Sequence, residues 1–458
     1  MTHALPRYMI PIIGVCLCVL PAVAGFAQDD TPAAMALEDA MRLALQRHPS
    51  MAAAASDVDA AQAALEAQQA RRLPTLSLDA SGRIQQSLRQ RIALDDGTIR
   101  TTGGTSETSD VTVGLTHTFL ESGRSESIEA ARVQAAASLA TVENSRRQLL
   151  TDVAATFNAI LAQQELVEVA DAAVRTSQQH LELVDARIEA GVAAPSDRVA
   201  VEAELADAEF EAVRAVNAVW TALADLRALL AMPIDSLPII RGDLEVPAEL
   251  GELEAWIADA FVLRPDLEVQ RYSLRVAELA VDQAEIDAGL TYSVQGGADY
   301  GRHDGTTGDT WFIGAGVSYP LFDRQSDASV DRAEAQLEAV RQRLAEAELD
   351  ISRQVAITYY SFADANARVT AAEASVRAAE RNLEVARERY AEGLANIIEV
   401  TDAELVWRRA SSNLVQARYD RNISWYQLLA AAGRPLLSEA ALGAASGEEM
   451  QTETVVNP

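Results

Sequence analysis

Glu399 and Asp402 stand three residues apart in a stretch of good helix formers, so they share one helix face and hold two carboxylates side by side. Such a pair could act as acid and base, or it could draw in cations. The remaining residues argue against catalysis. Carboxylates at helical spacing are too common in this chain to mark an acid–base pair. The histidines, His3, His48, His117, His180 and His303, are scattered and show no metal-ligand spacing. Cys16 and Cys18 lie close together near the amino terminus. No glycine-rich phosphate loop precedes a helix. The chain therefore reads as a non-enzyme that needs no metal and no cofactor.

The charge points the same way. Lys and Arg number 38 against 68 Asp and Glu, a formal charge of -30 over 458 residues. Phosphate contacts need basic clusters, so nucleic acid is excluded as a partner. An acidic surface or lumen instead attracts cations.

The elements that position these residues come in duplicate. Ala44-Leu45-Gln46-Arg47-His48-Pro49-Ser50 is echoed by Ala260-Phe261-Val262-Leu263-Arg264-Pro265-Asp266, and the run from Arg187 is echoed by the run from Arg389. Residues 1–27 read as a secretory signal: Arg7, an apolar run from Met9 to Leu20, and small residues ending at Ala27. Both cysteines fall inside it. Ile13-Gly14-Val15-Cys16 does not fit a lipidation site.

The first repeat is expected over 28–235, with strands at about 75–90 and 108–120 and helices at about 124–190 and 195–230. The second is expected over 236–435, with strands at about 291–302 and 309–321 and helices at about 324–391 and 398–432. The prolines Pro233, Pro238 and Pro247 mark the linker between them, and 436–458 read as a disordered tail.

The two long runs contain neither Gly nor Pro and carry apolar residues at three- and four-residue spacing. At 1.5 Å per residue each gives a helix of roughly 100 Å, which demands coiled-coil packing. Gly191 and Gly393 break the runs, and each is followed by a second helix, giving two antiparallel hairpins. At the other end, Val111, Val113 and Leu115 alternate with Thr112, Gly114 and Thr116, and Trp311, Ile313 and Val317 with Phe312, Gly314 and Gly316. This is the period of a strand with one apolar and one polar face. The links Gly82 to Asp110 and Gly301 to Asp309 read as polar loops. With no apolar helix beyond the signal, any contact with a bilayer falls to these strands. Four strands cannot close a spanning barrel, whereas three chains supply twelve, so a homotrimer is expected.

Taken together, the chain resembles the TolC-like outer-membrane factor family over nearly all of its length after the signal. The resemblance rests on Pro49 and Pro265 at equivalent places in the two repeats, and on Leu73-Pro74-Thr75-Leu76 leading into the first strand. Tyr319-Pro320-Leu321-Phe322 leads out of the last strand, and the two Arg-x-x-x-Gly turns run from Arg187 to Gly191 and from Arg389 to Gly393. The copies have diverged at Leu290 and Thr118, where repetition would place Pro.

The resemblance implies a mainly α fold with a membrane β-barrel part. Long antiparallel coiled-coil hairpins form an α-barrel, and each chain gives four strands to a twelve-stranded trimeric β-barrel in outer-membrane lipid. It implies export through a tripartite efflux pump or type I secretion system, with a periplasmic adaptor and an inner-membrane pump of RND or ABC type as partners. It places Glu399 and Asp402 as acidic rings at the periplasmic entrance, and Asp197 and Tyr390 as a closed-state latch. Ala395 stands where the family has an arginine pairing with the same carboxylate, so that either the latch is weaker here or Arg187 or Arg389 substitutes. The turns carrying Arg187, Gly191 and Val192, and Arg389, Gly393 and Leu394, are implied as adaptor-docking tips. Within the same fold the cargo could be metal cations or protein. The competing reading is a periplasmic coiled-coil scaffold without a pore.

Overall fold

The computed structural model describes residues 34–437 apart from 87–89, 94–98, 103–104, 237, 243–245, 247–249 and 304–305. The signal at 1–27 and the tail after residue 437 lie outside the described residues.

Each half builds the same elements. The first has α1 (Leu37–Arg47), α2 (Pro49–Ala70), β1 (Thr75–Gln86), β2 (Gln90–Ala93), β3 (Ile99–Thr102), β4 (Thr105–Glu121), α3 (Arg124–Glu189) and α4 (Pro195–Leu229). The second has α5 (Leu253–Leu263), α6 (Pro265–Ala288), β5 (Thr291–His303), β6 (Thr306–Ser318), α7 (Arg324–Ala391) and α8 (Ile397–Ala431). Helix α3 has 66 residues and α7 has 68, so each is about 100 Å long by its rise per residue.

Local chemistry sets the boundaries. Pro49, Pro195 and Pro265 each open a helix, where the missing N–H costs nothing. Asp323 caps α7 by accepting from the backbone N–H of Gln325 at 2.9 Å and of Ser326 at 3.3 Å. Among the described residues no helix is long and apolar enough to cross a membrane.

The duplication extends to the packing. At the offset that separates Gly191 from Gly393, buried Leu149, Val153, Ile160 and Leu226 are followed by buried Ile351, Val355, Phe362 and Leu428. The first set packs with α1 through Met41 and Ala44, the second with α5 through Trp256 and Ala260. The inter-repeat linker folds back on the first half, its Ile240 bridging in parallel to Met35. Asn422 donates to Asn158 at 3.1 Å, a buried bond that joins α8 to α3 and so one repeat to the other.

The four long strands form one antiparallel sheet in the order β1-β4-β5-β6, and β2 and β3 pair separately. Registered rows run across it, such as Leu76, Leu115, Ala298 and Trp311. Leu78, Val113 and Tyr300 share the next row on that face. The opposite face carries Ser77, Asp79, Thr112, Gln295 and Thr310 at the alternate positions. One face is therefore apolar and the other polar, although both are exposed in a single chain. A bulge between Thr118 and Leu120 shifts the register just before the chain leaves the sheet. The outer strands β1 and β6 have no partner on their far sides among the described residues.

The links differ from the expected polar loops. Pairing continues from Gly82 with Ser109 to Gln86 with Thr105, and from Gly301 with Gly308 to His303 with Thr306. Thr108 on β4 and Thr306 and Thr307 on β6 suit a continuing strand, so the ladders run on past the glycines.

The core packing makes a prediction. Phe157→Ala and Phe362→Ala should each destabilise the helical part by about 3–5 kcal/mol. This would appear as a fall in the midpoint of heat-induced loss of helical circular dichroism in detergent. Val192→Ala, at an exposed turn, should leave the midpoint in place.

Candidate functional site

The two hairpin turns are built alike. After α3, Gly191 takes φ 73°, its N–H bonds the Ile188 carbonyl at 2.9 Å, and Val192 N–H bonds the Arg187 carbonyl at 2.9 Å. After α7, Gly393 takes φ 76°, its N–H bonds the Tyr390 carbonyl at 3.0 Å, and Leu394 N–H bonds the Arg389 carbonyl at 2.8 Å. This paired pattern closes a helix end and needs glycine at the left-handed position. In such a cap the residue after the glycine often packs back on the helix. Here Val192 and Leu394 stay 63% and 65% exposed, which leaves an apolar side chain at each tip.

Arg187 joins the tips. Its guanidinium donates to the Tyr390 carbonyl and, at 3.1 Å, to the Ala391 carbonyl, while lying 4.6 Å from the centroid of the Tyr390 ring. A cation is thus set at the negative end of α7, on carbonyls of its last turn. The Tyr390 ring is buried among Val184, Val201, Leu383, Ile397 and Val400 from all four hairpin helices. Its hydroxyl has no hydrogen-bond partner. Burial raises its pKa, Arg187 lowers it, and the charge of Asp197 raises it further. The expected pair of Asp197 and Tyr390 is therefore brought near without a hydrogen bond, and Arg187 makes the contact between the hairpins.

Glu399 and Asp402 are both exposed on α8, away from its buried stripe of Ile397, Val400, Ala403 and Glu404. Asn396 caps this helix by accepting from the Glu399 N–H at 3.0 Å. Arg389 lies 3.4 Å from the Glu399 carboxylate. An exposed pair of this kind is weak, so the charge of Glu399 stays open to solvent ions.

One cluster differs from the sequence reading, which found no metal-ligand set. About two helical turns above the tips, His180 of α3, Glu204 of α4 and Glu404 of α8 come together in the interior, their ligand atoms all within 4.8 Å of one another. Their separation along the chain hid them. The available signal was a polar residue on an apolar stripe: Glu404 stands four after Val400, and Glu204 three after Val201. Burial, and then the charge of Glu404, push the Glu204 carboxyl up to about 7.

Comparison with known proteins adds the following. A family model described as outer membrane efflux protein matches residues 40–232 and 256–434. The alkaline protease secretion protein AprF of Pseudomonas aeruginosa is 24% identical over 318 residues, which cover 67% of this chain and 66% of that protein, just under two thirds of its length. The solvent efflux pump outer membrane protein SrpC of Pseudomonas putida is 24% identical over 436 residues, covering 90% of this chain and 87% of that one. The crystal structure of the outer membrane protein VceC from Vibrio cholerae superposes with a TM-score of 0.72 at 20% identity, covering 87% of this chain and 96% of that one.

The geometry of the tips predicts unequal roles for its residues. Arg187→Ala removes two charge-assisted bonds and should speed amide hydrogen exchange at Gly393 and Leu394 by roughly ten- to a hundredfold. Tyr390→Phe removes a hydroxyl with no partner and should leave those rates unchanged. Equal protection in wild type and Arg187→Ala would show that the tips are joined by other contacts.

Proposed function

The chain belongs to the outer membrane efflux protein family, whose members are channels and not enzymes, and from that premise we propose that it works as a trimeric channel-tunnel of a tripartite efflux pump or type I secretion system. Its place is the outer membrane, with the long helices on the periplasmic side.

The observation that carries the trimer is the sheet: apolar on one face, polar on the other, and unpaired on both edges. Copies joined edge to edge would turn the apolar face to lipid and the polar face to a lumen. Three copies give twelve strands, and the hairpins continue the wall into the periplasm. The lumen would open outward at the sheet and toward the periplasm at the tips.

In this reading Glu399 and Asp402 from three chains make two stacked acidic rings at the periplasmic entrance. Arg187 over Tyr390 holds the hairpins of each chain together in the closed state, with Asp197 contributing its charge and no direct bond. The exposed Val192 and Leu394, beside Gly191 and Gly393 and flanked by Arg187 and Arg389, offer the adaptor small apolar knobs at regular spacing around the ring. The adaptor in turn would link the duct to an inner-membrane pump of RND or ABC type. The names of AprF and SrpC divide between protein secretion and solvent efflux, in keeping with a duct whose pump selects the cargo.

Planar-bilayer recording tests the reading. The purified protein should conduct, prefer cations, and be blocked from the periplasmic side by multivalent cations. Glu399→Gln combined with Asp402→Asn should weaken the block and lower the preference, because the local negative potential is removed. A scaffold without a pore would give no conductance. Conductance with the same preference and block in the double variant would move the selective charge to other residues.

A further inference from the structure

We propose that His180, Glu204 and Glu404 form a binding site for one divalent transition-metal ion of the Zn2+ class, which pins α3, α4 and α8 together above the tips. The proposal stands on the geometry of a single chain and does not depend on the channel reading.

The donor set is chemically complete. One imidazole and two carboxylates from three different helices suit a borderline divalent ion, with a fourth position left for water or a hydroxyl. The Nδ1 of His180 lies 3.0 Å from a carboxylate oxygen of Glu404. Ligand atoms around a tetrahedral ion with bonds of ~2.0–2.2 Å stand ~3.3–3.5 Å apart, so this edge already has nearly the required length. No separation in the cluster exceeds 4.8 Å, so side-chain adjustment of about an ångström closes the rest.

The cluster also leaves buried polar atoms without well-formed hydrogen bonds. Glu404 is fully buried, and apart from the 3.0 Å approach of His180 Nδ1 and the neighbouring Glu204 carboxyl its oxygens meet no well-formed hydrogen bond among the described residues. On the buried His180, Nδ1 faces only Glu404, and Nε2 has no hydrogen-bond partner among the described residues. Buried polar atoms are nearly always paired, and an unpaired buried carboxylate is costly. A dication bound among these groups would supply the missing partner for both residues. Glu204 is held in place from outside by the Thr401 hydroxyl, which donates to its other oxygen at 3.0 Å, as an orienting group beyond a metal's ligands would do.

The internal duplication does not generate this set. At the offset between Gly191 and Gly393, His180 corresponds to Asn382 and Glu204 to Val406, both exposed. The cluster therefore occurs once per chain, where the hairpin of α3 and α4 meets that of α7 and α8. An open groove of about 570 Å³ between α3, α4 and α8 is lined by Asp207, Ala208, Leu405 and Arg408, the turn that follows Glu204 and Glu404. An ion held by His180, Glu204 and Glu404 would resist separation of the two hairpins.

The test uses the full-length protein in detergent, stripped with EDTA, equilibrated with Zn2+ and desalted. Elemental analysis should find one Zn2+ per chain. His180→Ala and Glu404→Gln should lose it, His48→Ala and His117→Ala should keep it, and Thr401→Val should bind roughly tenfold more weakly. Co2+ in place of Zn2+ should show the intense visible absorption of a four-coordinate site. If the ligand variants fail to fold, the zinc content and cobalt spectrum of the wild type decide alone. No retained zinc, a cobalt spectrum of the fully hydrated ion, or retention lost in His48→Ala or His117→Ala and kept in His180→Ala would overturn the proposal.

Discussion

An open strand edge cannot remain in hydrocarbon, because each unpaired N–H and C=O there has neither water nor a partner and costs several kcal/mol. In this chain β1 and β6 are such edges, at the two ends of a sheet whose apolar face is made by residues such as Leu76, Leu78, Trp311 and Ile313. Everything else in the architecture is consistent with that single constraint. Four strands are too few to close on themselves, so the remedy lies in further copies of the same sheet. The helices then have to follow the strands around the wall.

The helical part carries the same need for neighbours. Within one chain, α3 and α7 bury one side against their own hairpins and α6, while Phe210 and Trp220 on α4 and Leu349 and Tyr360 on α7 remain exposed. These side chains sit on the long elements, where a lateral copy would cover them. The tips follow a different rule. Val192 and Leu394 are exposed at the turns themselves, where neither the hairpin nor a lateral neighbour reaches. Arg187 meanwhile satisfies the carbonyl end of α7 and joins the hairpins of one chain. In the proposed duct, assembly, docking and gating would thus draw on separate surfaces of one duplicated unit.

Much of this was legible in the residues, for physical reasons. Gly191 and Gly393 end helices because a closing turn needs a left-handed residue, and the long runs without Gly or Pro between sheet and turn could only be helix. Alternation in β4 and β6 gave the two faces of the sheet. The starts of β4 at Thr105 and of β6 at Thr306, ahead of the expected 108 and 309, were not legible, because Thr, Ser and Gly suit a strand end and a loop equally well. Nor was the unpartnered hydroxyl of Tyr390, since its bonding depends on side-chain placement and not on spacing. The cluster of His180, Glu204 and Glu404 escaped because its members join only when α3, α4 and α8 pack. What could be read locally was a glutamate on an apolar stripe, a sign of burial that does not name its partners.

The central claim is that β1 of one copy pairs with β6 of the next. A single cysteine introduced on β1, at Leu78, combined with a series of single cysteines along β6 from Thr307 to Val317, tests it directly by oxidative cross-linking in outer-membrane vesicles. The account predicts that at least one pairing produces covalent species of up to three chains and no larger, with pairings that alternate in strength along β6 as the side chains alternate between faces. Monomers at every position, or a ladder extending past three chains, would contradict it.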